Sequence, residues 1–304
     1  MVRQQTIKKP PRLTPGDTIG VVAPASPFDQ ALFEKGVAVL ENMGYRVFLP
    51  DGLSRQGRFL AGPDRHRAGL VNRMLSDKNV NGIFCARGGY GSMRLLDHIA
   101  FDALQANPKF FVGFSDITAL LVTMVERGGA VAFHGPVLTT LGKGDQETQG
   151  SLAAAMTSNE PIELQANGGE TLRPGRCTGI VTGGNLRTLC HLVGTPYAPN
   201  FRGRIVFLED IGEAPYRIDR MLYHMRMAGC FEGMAGLALG TFDDCGPPGD
   251  VSKIVMDIFN DVDIPILSGF AIGHGPVNRT IPLGIPAELD TERQRLAFLE
   301  PAVT

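Results

Sequence analysis

Four short segments of the chain place reactive side chains beside glycines or at the end of an apolar run. They are Arg87 to Ser92, Gly113 to Asp116, Phe207 to Asp210 and Gly273 to Pro276. Together they supply a serine, two adjacent carboxylates and a histidine, which are the residue types of a hydrolytic triad. Because a triad is defined by the roles of its members and not by their order in the chain, this set is compatible with nucleophilic catalysis.

Ser115 lies where an apolar strand, predicted at Phe110 to Phe114, meets a helix predicted from about Ile117. A sharp strand-to-helix turn can present a serine hydroxyl above a sheet. A plain N-cap serine is common at the same place and, on this segment alone, is the better explanation. The nucleophile elbow GxSxG is not matched, because Ile117 occupies its last position.

The carboxylates Glu209 and Asp210 end the apolar run Ile205 to Leu208, where they could orient a histidine or bind a substrate amine. A solvated loop or an N-cap is the simpler reading of that segment alone. His274 lies between two glycines and has little crowding from its neighbours, and His134 is its rival as a base. The other histidines fall within helical patterns and are expected to be surface residues or to pack against neighbouring side chains: His66, His98, His191 and His224.

The glycine-rich loop from Arg87 to Ser92 lets the backbone approach a ligand and exposes N–H groups. It is not a dinucleotide fingerprint, because Arg94 stands where the third glycine is required, and no Gly-Lys-Ser/Thr follows. A tight strand–helix turn explains it equally well. In a catalytic site, the N–H groups of Gly89 and Asp116 could hold an oxyanion.

Alternating strands and helices up to Leu141 predict an α/β domain with a parallel sheet, covered by helices on both faces. In such sheets, ligands bind beyond the carboxyl ends of the strands. We predict an N-terminal nucleophile domain over residues 1–141 and a polar linker over 142–175 with one short helix at 151–156. A second, smaller α/β domain over 176–304 carries Glu209 and His274.

Composition limits the classes of partner. The net charge of −2 argues against nucleic acid and against an anionic membrane surface. The basic N-terminal segment has no apolar run behind it, and the longest apolar run is too short to span a bilayer, so a cytoplasmic protein is expected. The five cysteines form no CxxC pair, which favours buried thiols over disulfides or structural zinc: Cys85, Cys177, Cys190, Cys230 and Cys245.

Six segments together resemble the LD-carboxypeptidase family of serine peptidases, which includes murein tetrapeptide carboxypeptidases and microcin C immunity peptidases. They are spread over most of the chain and stand in the family's order. The segments are Gly16 to Ser26, Ala86 to Gly91, Val112 to Thr118, Thr182 to Leu186, Leu208 to Asp210 and Gly273 to Gly275.

The resemblance implies a triad of Ser115, Glu209 and His274, with the nucleophile in the first domain and the other two in the second. It implies an oxyanion hole from Gly89 and Asp116, a homodimer, and no metal or cofactor. Further substrate contacts are expected from residues near the matching segments: Gly88, Gly89, Tyr90, Asp116 and Asn185, with Arg87, Arg187 and Asp210 as weaker candidates.

The family reaction is hydrolysis of an amide between an L-centre and a D-amino acid. In the murein branch, this is the bond between meso-diaminopimelate and terminal D-alanine. The microcin branch is expected to stack a nucleotide on an aromatic residue, often tryptophan, and this chain has no tryptophan. That absence favours a murein tetrapeptide, although Tyr90 or Tyr216 could stack on a base. A non-catalytic α/β binding protein, with Ser115 as an N-cap, is the third hypothesis.

Overall fold

The computed structural model describes residues 7–304, so the first six residues of the basic N-terminal segment lie outside the described part. The chain divides into two compact units. The first contains residues up to Asn159 together with Thr280–Gly284 and Ala302–Thr304. The second contains Glu160–Arg279 and Ile285–Pro301. Each unit has its own sheet, and the predicted α/β fold is confirmed.

The first unit is built on a six-stranded sheet with the order β12-β5-β4-β3-β1-β2. Its strands run parallel, except that β12 pairs antiparallel with β5. The strands are β1 (Thr18–Val22), β2 (Arg46–Phe48), β3 (Gly82–Cys85), β4 (Phe110–Gly113), β5 (Ala132–His134) and β12 (Ile281–Leu283).

The central strands β3 and β4 are continuous apolar runs with every residue buried, as expected for strands covered on both faces. Helices separate most of the strands, and short 3₁₀ turns lie at Met93–His98 and Ser115–Ile117. The helices are α1 (Gln30–Asn42), α2 (Asp64–Ser76), α3 (Ala103–Ala106), α4 (Thr118–Glu126), α5 (Leu138–Leu141) and α6 (Gln146–Thr157).

The core of this sheet contains three stacked phenylalanines from adjacent strands. The ring centroids of Phe84 and Phe110 are 6.0 Å apart, and those of Phe110 and Phe133 are 4.0 Å apart. All three side chains are fully buried. The carboxyl ends of β3 and β4, where the glycine-rich loop and the Ser115 turn begin, are adjacent because Phe84 pairs with Val112 in the sheet.

The second unit contains an eight-stranded mixed sheet with the order β6-β14-β13-β8-β9-β10-β11-β7. Strands β8 to β11 run parallel, and the outer pairs are antiparallel. The strands are β6 (Glu163–Gln165), β7 (Thr171–Arg173), β8 (Arg176–Asn185), β9 (Arg204–Ile211), β10 (Gly236–Asp243), β11 (Ile266–Leu267), β13 (Pro286–Asp290) and β14 (Arg295–Phe298). Its helices are α7 (Leu186–Leu192), α8 (Pro215–Met227) and α9 (Asp250–Ile258).

The linker predicted over residues 142–175 is wrong. Helix α6 fills much of it and belongs to the first unit, while β6 and β7 belong to the sheet of the second. The polar composition misled the prediction, because α6 starts at the polar cap Asp145, whose carboxylate accepts from the N–H of Thr148 at 2.6 Å. The strands β6 and β7 lie at the two edges of their sheet, where polar side chains are tolerated.

The boundary at residue 141 is also wrong, since the first unit extends to Asn159 and regains two later segments. The strand β12 returns to pair with β5, a long-range pairing that local patterns do not encode. No helix in residues 7–304 has the length and apolar character needed to cross a bilayer.

Candidate active site

Ser115 has a left-handed backbone, with φ of 63°. This conformation costs a non-glycine residue roughly 1–2 kcal/mol. Phe114, not Ser115, is the N-cap of the 3₁₀ turn, and no side chain caps it. The N-cap explanation for Ser115 is therefore wrong. A strained serine two residues beyond the end of a buried strand has the local geometry that a nucleophile elbow provides.

The glycine-rich loop after β3 lies directly against this turn. A Cβ atom on Gly88 would come within 2.9 Å of the Cβ of Ser115 and 3.2 Å of the carbonyl oxygen of Phe114. A Cβ on Gly89, whose φ is 101°, would lie 2.5 Å from the Oγ of Ser26. Both positions therefore require glycine, and the backbone of the loop approaches the serine closely.

Asp116 and Ser92 connect the loop and the turn. The carboxylate Oδ2 of Asp116 accepts a hydrogen bond from the N–H of Ser92 at 2.7 Å. The hydroxyl of Ser92 donates in return to the carbonyl oxygen of Asp116. Both residues are buried, so these bonds lie away from competing water.

Ser26, which follows β1, holds the other side of the loop. Its N–H donates to the carbonyl of Gly88 at 3.2 Å, and its hydroxyl accepts from the N–H of Tyr90 at 3.1 Å. Within residues 7–304, no hydrogen bond uses the N–H groups of Gly89 and Asp116. These are the two donors that the sequence analysis expected at an oxyanion hole.

In the second unit, Glu209 and His274 form a hydrogen-bonded pair. Nδ1 of His274 lies 2.6 Å from Oε2 of Glu209, which belongs to β9 and is fully buried. A carboxylate can only accept, so Nδ1–H is the donor. The neutral ring then carries its lone pair on Nε2, as a general base requires.

The pKa of His274 is raised above its ordinary value of 6.5. Burial is the largest single influence and acts to lower this pKa. The hydrogen bond and charge of Glu209 act in the opposite direction, helped by the charges of Asp210 and Asp243, and together they prevail. The pair therefore stabilises the imidazolium that forms when His274 takes a proton.

Two residues that sequence reasoning missed, Thr241 and Asn278, shape the loop around His274. The N–H of Gly273 donates to Oδ1 of Asn278 at 3.0 Å, and the N–H of Gly275 donates to Oγ1 of Thr241 at 3.2 Å. A Cβ on Gly273, whose φ is 120°, would lie 2.6 Å from Oε2 of Glu209. The Gly-x-Gly spacing was visible in the sequence, but the contributions of Thr241 and Asn278 were not.

Asp210 and Asn185 form hydrogen bonds of their own beside the pair of Glu209 and His274. Both oxygens of Asp210 accept hydrogen bonds, from the Asn185 amide at 3.0 Å and from the N–H of Arg187 at 2.9 Å. Burial, with the charge of Glu209, raises the pKa of Asp210 to about 6. Asn185 also caps α7, accepting from the N–H of Thr188 at 3.0 Å. Their polar groups are thus engaged in holding α7 against β9.

The remaining candidates occupy different environments. Tyr90 is exposed at 46%, and its N–H donates to the hydroxyl of Ser26 at 3.1 Å. The Arg87 guanidinium donates to the carbonyl of Pro27 at 2.8 Å, which holds it to the backbone of its own unit. His134 is fully buried in β5 and packs edge-on against Phe114, so this rival base has no exposed surface.

Two family models match the chain. The LD-carboxypeptidase N-terminal domain matches residues 19–135, and the LD-carboxypeptidase C-terminal domain matches residues 178–289. Together they cover more than half of the chain. The chain belongs to the LD-carboxypeptidase family. Membership supports the activity of a serine carboxypeptidase and leaves the substrate open.

Individual family members agree with this assignment. A "probable murein peptide carboxypeptidase" of Bacillus subtilis is 35% identical, over 97% of this chain and 95% of its own. The murein tetrapeptide carboxypeptidase of Pseudomonas aeruginosa is 32% identical, over 91% and 94%. The crystal structure of an MccF-like protein from Bacillus anthracis superposes with a TM-score of 0.88 at 27% identity, covering 96% of this chain and 99% of that one.

Proposed function

We propose that this protein is a murein tetrapeptide LD-carboxypeptidase that removes the terminal D-alanine from meso-diaminopimelate, using Ser115, Glu209 and His274 as one triad. The observation that carries the proposal is the 2.6 Å hydrogen bond between His274 and the buried Glu209. A histidine held in this tautomer by a buried carboxylate is the base half of a serine hydrolase.

In the proposed mechanism, Nε2 of His274 takes the hydroxyl proton as Oγ of Ser115 attacks the scissile carbonyl carbon. The N–H groups of Gly89 and Asp116 donate to the oxyanion of the tetrahedral intermediate. The imidazolium then returns its proton to the nitrogen of the departing D-alanine, and the carbon–nitrogen bond breaks. Water, deprotonated by His274, hydrolyses the remaining ester and regenerates Ser115.

The murein substrate is supported by the names of the two relatives, both of which refer to murein peptides. A role in peptidoglycan recycling, a cytoplasmic location and a homodimer accompany this proposal. The alternative is a peptidase that detoxifies a microcin C-type peptidyl-nucleotide. The structural similarity to an MccF-like protein favours it, as does the exposed ring of Tyr90, but the chain has no tryptophan to stack on a base.

Mass spectrometry of a murein tetrapeptide ending in D-alanine tests the proposal. The wild type is expected to release one D-alanine, and Ser115→Ala is not. Ser76→Ala is the matched control, because Ser76 is exposed at the end of α2. Release by Ser115→Ala at the wild-type rate would refute the nucleophile. No release by any form, together with cleavage of a peptidyl-nucleotide, would establish the alternative substrate.

A further inference from the structure

A second feature of the first unit is a cavity of about 470 Å³ formed by the loop between β2 and α2. It is lined chiefly by Arg55, Arg58, Phe59 and Leu60. The loop is anchored at both ends. Nε2 of His66 lies 2.9 Å from the carbonyl oxygen of Gly52, and the N–H of Ala61 donates to the carbonyl of Ala25 at 2.9 Å. The cavity is therefore part of the fold, with defined walls.

This loop is continuous with the glycine-rich loop beside Ser115. The hydroxyl of Ser26, which accepts from the Tyr90 N–H, donates to the carbonyl of Phe59 at 3.1 Å. The rings of Phe59 and Tyr90 meet edge to face with centroids 5.6 Å apart. A Cβ on Gly91 would lie 2.3 Å from Cδ2 of Leu60, so the two loops are in close contact.

The charges in the cavity are unbalanced. Nearby Arg67 and Arg94 both pair with Asp64, at 2.5 and 2.7 Å. By contrast, Arg55 and Arg58 have no carboxylate partner among residues 7–304. Arg58 instead lies over the ring of Phe59, 5.8 Å from its centroid. Two guanidinium groups beside an exposed aromatic wall form a site for an anion carried on a partly apolar chain.

We propose that Arg55 and Arg58, with the Phe59–Tyr90 wall, bind a carboxylate on the part of the peptide that precedes the scissile amide. This inference rests on the proposed function, because it assumes that a peptide lies across Ser115. The enzyme then selects acidic peptides by two contacts that take no part in bond cleavage. Loss of those contacts weakens binding and leaves the chemical step intact.

The test uses two tetrapeptides that differ only in the carboxyl groups preceding the scissile amide. These groups are free in one peptide and are carboxamides in the other. Calorimetry on the Ser115→Ala background measures binding without turnover. We expect the free acid to bind roughly tenfold more tightly, as charge-assisted hydrogen bonds are stronger than neutral ones. Adding Arg55→Gln and Arg58→Gln together should remove the difference, while Arg65→Gln, on an exposed arginine of α2, should keep it.

In the enzyme that retains Ser115, the same double variant should raise KM for the free acid and leave kcat unchanged. Equal binding of the two peptides, or a difference that survives the double variant, overturns the subsite. The subsite is also overturned, in favour of a phosphate site, if adenosine monophosphate binds in a way that requires Arg55 and Arg58 while the two peptides bind equally well. If the free acid binds more tightly than the carboxamide but the wild type hydrolyses neither peptide, the proposed function is refuted and the subsite stands. Binding of neither peptide overturns both.

Discussion

Glu209 is a fully buried carboxylate whose Oε2 lies 2.6 Å from Nδ1 of His274. The two residues are brought together by the end of β9 and a loop that follows β11. Burial alone would keep the histidine neutral, and the carboxylate reverses that effect. The protonation of His274 therefore depends on Glu209, and the pH dependence of catalysis should report the pair.

The acid limb of kcat/KM should lie above pH 6.5, the ordinary pKa of histidine, because the raised pKa of His274 keeps the base protonated to higher pH. Activity should rise with pH through that limb. Glu209→Gln removes the charge and leaves the burial, so the limb should move to lower pH. Its maximum rate should fall roughly 10³- to 10⁴-fold.

The matched control for this prediction is Glu232→Gln, on an exposed carboxylate paired with Arg202. It should change neither the rate nor the profile. If the acid limb of kcat/KM lies at the same pH in Glu209→Gln as in the wild type, a group other than the pair controls it.

Gly273→Ala should disrupt the pair without removing either member. The new methyl group would lie 2.6 Å from Oε2 of Glu209 and the backbone would remain at a φ of 120°, so the loop must shift. We expect activity to fall by roughly 10²-fold or more, since small displacements of catalytic groups have effects of this size. Steady-state kinetics on the purified variant measures it.

Gly194→Ala separates backbone strain from the steric effect. Gly194 also has a positive φ, of 83°, but no atom lies within 4 Å of the added methyl. It should lose about 1 kcal/mol of unfolding free energy and keep full activity. If both variants keep wild-type activity, the contact between Gly273 and Glu209 has no catalytic importance.

Ser115→Gly should unfold at higher denaturant concentration than the wild type. Glycine relieves the left-handed strain at φ of 63°, and we expect a gain of about 1 kcal/mol in the free energy of unfolding. Activity should be lost with the hydroxyl. Such opposition between stability and function is expected where strain serves a site.

Ser252→Gly, within α9, is the control for the same chemical change in helical backbone. It should lower stability by about 0.5–1 kcal/mol, because glycine is a poor helix former. Urea denaturation of both variants makes the comparison. Equal destabilisation of the two would argue against strain at Ser115.

Asp116→Ala should reduce kcat more than it raises KM. It leaves the buried N–H of Ser92 without its 2.7 Å acceptor, which costs about 1–3 kcal/mol of stability. The loop that carries Gly89 then loses one of the two hydrogen bonds by which Ser92 joins it to the serine turn. Asp102→Ala, on an exposed residue whose side chain makes no cap hydrogen bond, is the control and should change neither quantity. An unchanged kcat in Asp116→Ala would remove this positioning role.

The sequence by itself determined the parallel strands of the first sheet and the identity of the candidate residues. The strand predicted at Phe110 to Phe114 and the helix predicted from about Ile117 are local patterns of apolar residues, and the structure has them at Phe110–Gly113 and Thr118–Glu126. Ser115, Glu209 and His274 could be singled out because a reactive residue beside a glycine or at a strand end is also a local signal.

Only the tertiary structure decided which of two adjacent carboxylates meets the histidine. From the residues alone, Glu209 and Asp210 were equivalent, and only the family resemblance favoured the first. Successive side chains of a strand point to opposite faces, so β9 sends one to His274 and the other to Asn185 and α7. The sequence also did not predict two other features, the left-handed backbone of Ser115 and the pairing of β12 with β5 in the first sheet. Each depends on contacts between residues far apart in the chain, which no local pattern records.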